Sequence, residues 1–193
     1  MTTLKISFLF AAVFLFSCGN VSFDKEILLG ERGSFTLLDP AYIEEALDTE
    51  QRITARYGDT EFTAGAWVQA DAKGISMLFF NNFGASLGEF EYHSGAAAIS
   101  SPYLPKNIKA EYFAADFQLC YYRVEELQKA LAGLTIKSDA GEIPGTSIRR
   151  IYEDGALIIE IIKTYTDVTY TNKLRGYSYT IVNTPAQNQA VEN

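Results

Sequence analysis

The chain has 193 residues, about one domain's worth, with 16 Lys and Arg against 24 Asp and Glu and a formal net charge of −8. This acidic balance argues against nucleic acid as a partner, because phosphate binding requires concentrated positive charge. It argues equally against broad adsorption to anionic lipid.

The first 17 residues follow the three-part pattern of a secretory signal. Lys5 supplies one positive charge, and residues 6–16 form an apolar run that is too short to span a bilayer as a helix. The run ends in Leu15-Phe16-Ser17-Cys18, which resembles the lipobox of bacterial lipoproteins. In that family Cys18 would be the lipid anchor: the signal is removed before it, and its sulfur and new amino terminus are acylated, for instance with palmitate. The alternative is an ordinary secretory signal with Cys18 near the cleavage point by chance.

The rest of the chain divides into a tether, a domain and a tail. Residues 18–33 are predicted to be the tether, residues 34–184 the folded domain, and residues 185–193 a disordered tail rich in Asn, Gln and Ala. Within the domain, Asp39-Pro40 predicts a helix start, with aspartate as the cap and proline at the first helical position. This helix is predicted to end at about residue 48.

Alternating apolar and polar residues then predict a series of strands. The expected strands are 51–57, 61–68, 75–80, 87–93 and 96–100, separated by short turns such as Gly58-Asp59. Because parallel neighbours need long crossovers, strands joined by such short turns predict an antiparallel meander.

A helical insert follows, and then the strands return. Helical periodicity predicts one helix from a cap at Asn107 to about residue 121 and a second over residues 123–131. Strands are predicted at 134–137, 147–152, 156–164 and 175–183, with Asp154-Gly155 as a hairpin turn. The expected fold class is therefore α+β, with one antiparallel sheet interrupted by helices.

No enzyme chemistry is predicted. His93 is the single histidine, and with Glu89 and Glu91 it is expected on a solvated strand face rather than at a metal or catalytic site. Cys120 is expected to be a buried thiol, and Asp116 has no catalytic partner in the sequence. Because Cys18 would carry lipid, no intrachain disulfide is expected. Neither a cofactor nor a metal is predicted.

Three segments carry a family resemblance: residues 79–92, residues 115–121 and residues 174–179. With the order of helices and strands, they resemble bacterial lipoproteins of the domain of unknown function 3261 family, and more distantly the LolA/LolB-type lipoprotein carriers. The resemblance implies a strongly curved antiparallel sheet, a half-open barrel, whose open side is covered by the helical insert. Its hollow would bind acyl chains. Phe83 matches an exposed leucine that helps LolB-like carriers to pass lipoprotein into the outer membrane.

The candidate site follows from this resemblance and from strand parity. Phe83, Phe79 and Phe80 are the predicted membrane or acyl contacts, although Phe79 and Phe80 point to opposite sheet faces and one of them would be ordinary core. The predicted cavity residues are Phe62, Phe90, Tyr92, Phe113, Phe117, Ile159, Tyr177 and Tyr179. The sequence leaves open whether these side chains line a hollow or fill it.

The expected function is a non-enzymatic lipoprotein that binds or transfers acyl chains of lipids or lipoproteins at the outer membrane, facing the periplasm. Gly19 favours the outer membrane, since aspartate after the lipidated cysteine retains lipoproteins at the inner membrane in some bacteria. The expected partners are acyl chains, and the membrane through the N-terminal lipid. The alternative is a structural lipoprotein with a filled barrel that binds an unidentified protein.

Overall fold

The computed structural model describes residues 25–103 and 109–184. The predicted signal, Cys18, the predicted cap Asn107 and the predicted tail (residues 185–193) lie outside this part of the chain. Within it, the chain forms a large antiparallel sheet, a small three-stranded sheet and two short helices, which confirms the α+β class. No helix in the described residues is long and apolar enough to cross a membrane.

The first half of the described chain is mostly strand. Its elements are β1 (Glu26–Leu28), β2 (Ser34–Thr36), β3 (Leu47–Tyr57), β4 (Thr60–Asp71), β5 (Gly74–Phe80), β6 (Ser86–His93) and β7 (Ala96–Ser100). The five strands predicted between residues 51 and 100 are therefore all present. Each is stabilised by antiparallel pairing with its neighbour along the chain, as the short turns required.

The second half contains the helices and the remaining strands. Its elements are α1 (Ala110–Tyr121), α2 (Val124–Ala130), β8 (Leu131–Ala132), β9 (Thr135–Ala140), β10 (Ser147–Glu153), β11 (Ala156–Lys163), β12 (Asp167–Asn172) and β13 (Tyr177–Asn183). Asp154 and Gly155 both have positive φ in the turn between β10 and β11, which confirms the predicted hairpin. Strand β12 was not predicted, although its residues alternate between buried and half-buried positions.

The large sheet has the order β7-β6-β5-β4-β3-β13-β12-β11-β10-β9. All neighbours are antiparallel, and β13 closes the gap between the two meanders by pairing with β3. In the described residues the outer strands β7 and β9 do not pair with each other, so the sheet is open.

Helix α1 contacts strands that are far apart in this order. Phe113 packs on Phe79 of β5, whereas the carbonyl oxygen of Leu119 accepts a hydrogen bond from Arg149 of β10. Neighbouring strands lie about 4.8 Å apart, so a flat sheet would separate β5 from β10 by roughly 29 Å. A 12-residue helix is only about 18 Å long. Its contacts with both strands are consistent with a sheet that curves around it.

The helix predicted after Asp39 is much shorter than expected. Asp39 does cap it, since its carboxylate accepts a hydrogen bond from the backbone N–H of Ala41 at 2.9 Å. The helix is a single 3₁₀ turn, Pro40–Tyr42, and the chain becomes extended at Ile43. Ile43 forms a β-bridge with Tyr122, 79 positions along, so a long-range contact ends the helix. The prediction of helix up to residue 48 was therefore wrong.

The folded region also begins before residue 34. Strand β1 pairs with β2, which in turn pairs with β8, and the side chains of Ile27 and Leu29 are buried in the core. Residues 26–33 are thus part of the domain rather than of a tether. Strands of two or three residues carry almost no alternation, so the hydrophobic pattern did not predict them.

Glu153, the last residue of β10, holds this N-terminal segment in place. Its carboxylate accepts hydrogen bonds from the backbone N–H groups of Glu31 (2.7 Å), Arg32 (2.9 Å) and Gly33 (2.6 Å). The hydrogen bonds from the N–H groups of Arg32, Glu31 and Gly33, in this order of effect, lower the pKa of Glu153. A side chain at Gly30 would place its Cβ 2.5 Å from the same carboxylate, so glycine is needed there for the close approach.

Candidate functional site

The two faces of the sheet differ as strand parity predicted. On β6, Phe90 and Tyr92 are fully buried, whereas Glu89, Glu91 and His93 are exposed. The described residues contain no group of three or more His, Cys, Asp or Glu side chains that could hold a metal ion. The ring of Phe90 contacts Phe113 of α1, with centroids 5.0 Å apart, so the apolar face of the sheet is the face that this helix covers.

An inner pocket lies between α1 and the middle of the sheet and has a volume of about 100 Å³. Its apolar lining consists of Ile53, Ala55, Met77, Phe113, Phe117 and Ile181. Polar or polarisable side chains also border it: Gln51, Asp116, Cys120, Tyr121 and Tyr179. The surface that faces the pocket is nevertheless almost entirely apolar, so the pocket suits a hydrocarbon rather than a polar ligand.

An outer pocket of about 210 Å³ adjoins the inner one. It is lined by Phe62, Ala64, Phe79, Leu87, Ile99, Ser101 and Tyr103. Three residues, Ile53, Ala55 and Phe113, border both pockets. Taken together, the two volumes reach the lower end of the range of about 300–1,000 Å³ that is usual for small-molecule sites.

The aromatic residues predicted for the cavity have different positions. Phe62, Phe79, Phe113, Phe117 and Tyr179 line one or both pockets. Phe90, Tyr92 and Ile159 are instead fully buried core residues, and the hydroxyl of Tyr92 donates to the carbonyl oxygen of Leu38 at 2.7 Å. Tyr177 packs near the inner pocket but turns its hydroxyl towards Asp116. The concave side of the sheet is thus partly filled and partly hollow.

Phe80 is separated from these residues by the sheet itself. Its ring lies over Gly65, where a Cβ would come within 2.2 Å of it, and it borders a polar groove with Arg52 and Asn81. Phe79 lies on the opposite face and contacts Phe113 with ring centroids 5.7 Å apart. Of this pair, only Phe79 reaches the pockets.

Phe83 is presented to solvent by a hydrogen-bonded turn between β5 and β6. The side-chain oxygen of Asn81 accepts hydrogen bonds from the backbone N–H groups of Phe83 (2.9 Å) and Ala85 (3.0 Å). Gly84 has a φ of +76°, which closes the turn without strain. The side chain of Phe83 is 95% exposed. An apolar ring that is fixed at a turn tip can enter a lipid surface without any unfolding.

Asp116 is the one carboxylate that α1 directs towards the sheet, and the structure supplies the partners that the sequence did not. It accepts hydrogen bonds from the hydroxyls of Tyr170 (2.5 Å) and Tyr177 (2.8 Å). Burial raises the pKa of Asp116 to about 7, although the two hydroxyls and the Arg175 guanidinium act in the opposite direction. Near neutral pH this carboxyl therefore exchanges a proton at the wall of the inner pocket.

Cys120 is a buried thiol, as expected. Burial, and secondarily the charge of Asp116, raises its pKa to about 12, so the reactive thiolate is not formed at neutral pH. The ring of Tyr170 stacks on that of Tyr179, with centroids 4.6 Å apart and planes at 1°. Tyr179 and Cys120 line the inner pocket, so this part of its wall is a neutral thiol beside a stacked pair of tyrosine rings.

A comparison with protein families identifies the domain. The model of the family described as protein of unknown function (DUF3261) matches residues 48–185, which include the three segments on which the resemblance was based. No curated protein matches the chain. Because the match extends over most of the chain, from β3 to the end of the described residues, the chain belongs to the DUF3261 family.

Proposed function

We propose that this protein is a non-enzymatic envelope lipoprotein that binds, and passes on, the acyl chains of lipids or lipoproteins. The observation that carries the proposal is the pair of adjoining apolar pockets between α1 and the sheet. Burying an alkyl chain there is favourable by about 0.8 kcal/mol for each methylene removed from water.

The position of the outer pocket supports entry of an acyl chain from one end of the sheet. The turns after β3, β5 and β12 and the end of β7 all lie at this end, which we call the turn end, because consecutive antiparallel strands reverse direction. Exposed aromatic side chains cluster there: Tyr57 (69%), Phe62 (50%), Phe83 and Tyr103 (67%). Phe62 and Tyr103 also line the outer pocket, so the pocket opens where apolar groups face solvent.

We extend the proposal to the architecture and the compartment. The open, curved sheet is a half-open barrel like that of LolA/LolB-type carriers, with α1 and α2 on its open side. Residues 1–17 are a lipoprotein signal, and lipidated Cys18 holds the domain at the outer membrane, facing the periplasm. The motif Leu15-Phe16-Ser17-Cys18 and the residue that follows it, Gly19, support this assignment.

Native mass spectrometry of the full chain, purified from a bacterial envelope, tests the proposal. We expect co-purified lipid at up to one molecule per chain, with extraction yielding acyl-chain species. Ile53→Asp, at the border of both pockets, is expected to remove the lipid, whereas Leu78→Asp on the outer face of β5 is a matched control that should retain it. A wild-type chain that is consistently free of lipid would refute acyl-chain binding.

The filled part of the concave face favours a second candidate function. Phe90, Tyr92 and Ile159 have no exposed surface, so much of the interior is ordinary core. On that basis the alternative is a structural lipoprotein whose surface binds a protein. It predicts a lipid-free interior in the same measurement, together with capture of one specific envelope protein after cross-linking in cells.

A further inference from the structure

The two pockets meet at a boundary formed by α1 and β3. Ile53 and Ala55 lie two positions apart on β3 and therefore face the same side, and Phe113 of α1 lies opposite them. No other described residue lines both pockets. Whatever passes from the outer pocket to the inner one therefore passes the ring of Phe113.

The ring of Phe113 is supported on one side only. It contacts Phe79 edge-on, with centroids 5.7 Å apart and planes at 84°, and Phe90 at 5.0 Å and 45°. Towards β3 it faces Ala55, whose methyl group leaves space, and Phe113 itself is only partly buried. An aromatic ring with open volume on two sides can change rotamer without displacing backbone.

The far end of the inner pocket is closed. The side-chain amide of Gln51 donates hydrogen bonds to Asn183 (2.9 Å) and to the hydroxyl of Tyr121 (3.3 Å), so these polar groups satisfy one another. Gln51 is 2% exposed. A hydrocarbon chain gains nothing by displacing such a pair, because its polar atoms would then be left without partners. The channel therefore has a fixed floor.

We propose that Phe113 and Ala55 determine the length of the acyl chain that the protein accepts. This inference rests on the proposed function. A single chain enters methyl-end first through the outer pocket, displaces the ring of Phe113 and occupies the inner pocket as far as the floor at Gln51. Shorter chains stay in the outer pocket, and longer chains project at the turn end, where their head groups lie.

Binding of saturated fatty acids from octanoate to stearate, measured by calorimetry on the delipidated full chain, tests this. For the wild type, affinity should rise about fourfold for each added methylene and then level off once the inner pocket is full. Phe113→Ala should move the point of levelling to longer chains. Ala55→Leu, which extends into the boundary, should move it to shorter chains and weaken the longest acids at least about tenfold.

Control variants distinguish a failure of the chain-length proposal from a failure of acyl-chain binding itself. Leu78→Ala, on the opposite face of β5, should reproduce the wild-type profile, and thermal unfolding should show that each variant is folded. If Phe113→Ala does not fold, Ala55→Leu decides alone. Fatty acids that bind with the same levelling point in every folded variant would overturn the role of Phe113 and Ala55 in chain length while leaving acyl-chain binding intact. Fatty acids that do not bind the wild type at all would overturn both.

Discussion

Replacing Asp116 by Asn should change how the stability of the domain depends on pH. The pKa of Asp116 is raised from 3.8 to about 7 in the folded chain, chiefly by burial. The folded state therefore binds one proton more than the unfolded state between these two pH values. Asp116 stabilises the fold most below pH 3.8, and this contribution is lost as the pH rises through about 7. The Asn side chain does not ionise, so the Asp116→Asn variant does not lose this stability as the pH rises.

The size of the effect follows from the shift. One pKa unit corresponds to about 1.4 kcal/mol, so the shift from 3.8 to about 7 sets an upper limit of ~4 kcal/mol. Asp116 keeps some accessible surface, and hydration of the carboxylate reduces the penalty, so we expect about 2–4 kcal/mol. Asn can still accept from Tyr170, and exchanging the other hydrogen bond adds a constant offset of about 1 kcal/mol that does not vary with pH.

Urea unfolding of both chains from about pH 4 to about pH 8 measures the difference in free energy of unfolding at each step. We expect Asp116→Asn to gain stability relative to the wild type as the pH rises, with most of the change between about pH 5 and 7. Asp59→Asn, an exposed aspartate in the turn after β3, controls for the loss of one negative charge. A difference that is flat across this range, or that favours the wild type at high pH, would refute the assignment.

Three further outcomes are expected. Phe83→Glu should reduce partitioning onto lipid vesicles by about tenfold or more without changing the melting temperature, because the side chain is 95% exposed; equal partitioning would remove it from the site. Cys18→Ser should abolish metabolic labelling with palmitate and release the chain from the membrane fraction, and retained label would exclude this anchor. Glu153→Gln should destabilise the domain at neutral pH, since an amide accepts its three backbone hydrogen bonds less well. Because the pKa of Glu153 is lowered, its contribution is present above its unfolded value of 4.5 and lost at lower pH, so the stabilities of the two chains should converge in acid. A difference in the free energy of unfolding that persists in acid would contradict this role of the Glu153 carboxylate.

Local patterns predicted most of the strands, because alternation within a strand and turn residues beside it can be read from neighbouring positions. The alternation in β4 and β6 and the Asp154-Gly155 turn are properties of neighbouring residues, and they appear in the structure as expected. The short helix after Asp39 shows the limit of this approach. Its cap is local and was predicted, but its end depends on Ile43 pairing with Tyr122, which no local pattern encodes.

The candidate site was less accessible to sequence reasoning for the same reason. Asp116 meets Tyr170 and Tyr177, which are 54 and 61 positions away, and one of them belongs to a strand that was not predicted. Parity placed Phe90 and Phe62 on the concave face correctly. Whether such a ring is packed in the core or lines a pocket depends on how α1 packs on the sheet. In the structure Phe90 is core, whereas Phe62 lines the outer pocket.

The attachment point of the N-terminal segment limits where the turn end can reach. The side chain of Lys25 lies against Gly95, in the turn after β6, so the chain enters the domain at the end opposite Phe83. The eight residues of β6 separate these ends by about 27 Å. A fully extended chain from Cys18 to Lys25 spans at most about 25 Å. The two lengths are nearly equal, so the proposed anchor at Cys18 would leave an upright domain almost no slack for Phe83 to contact the same membrane. Under the proposed function, the domain would then either lie on its side against the membrane or present its turn end to the partner that delivers the acyl chain.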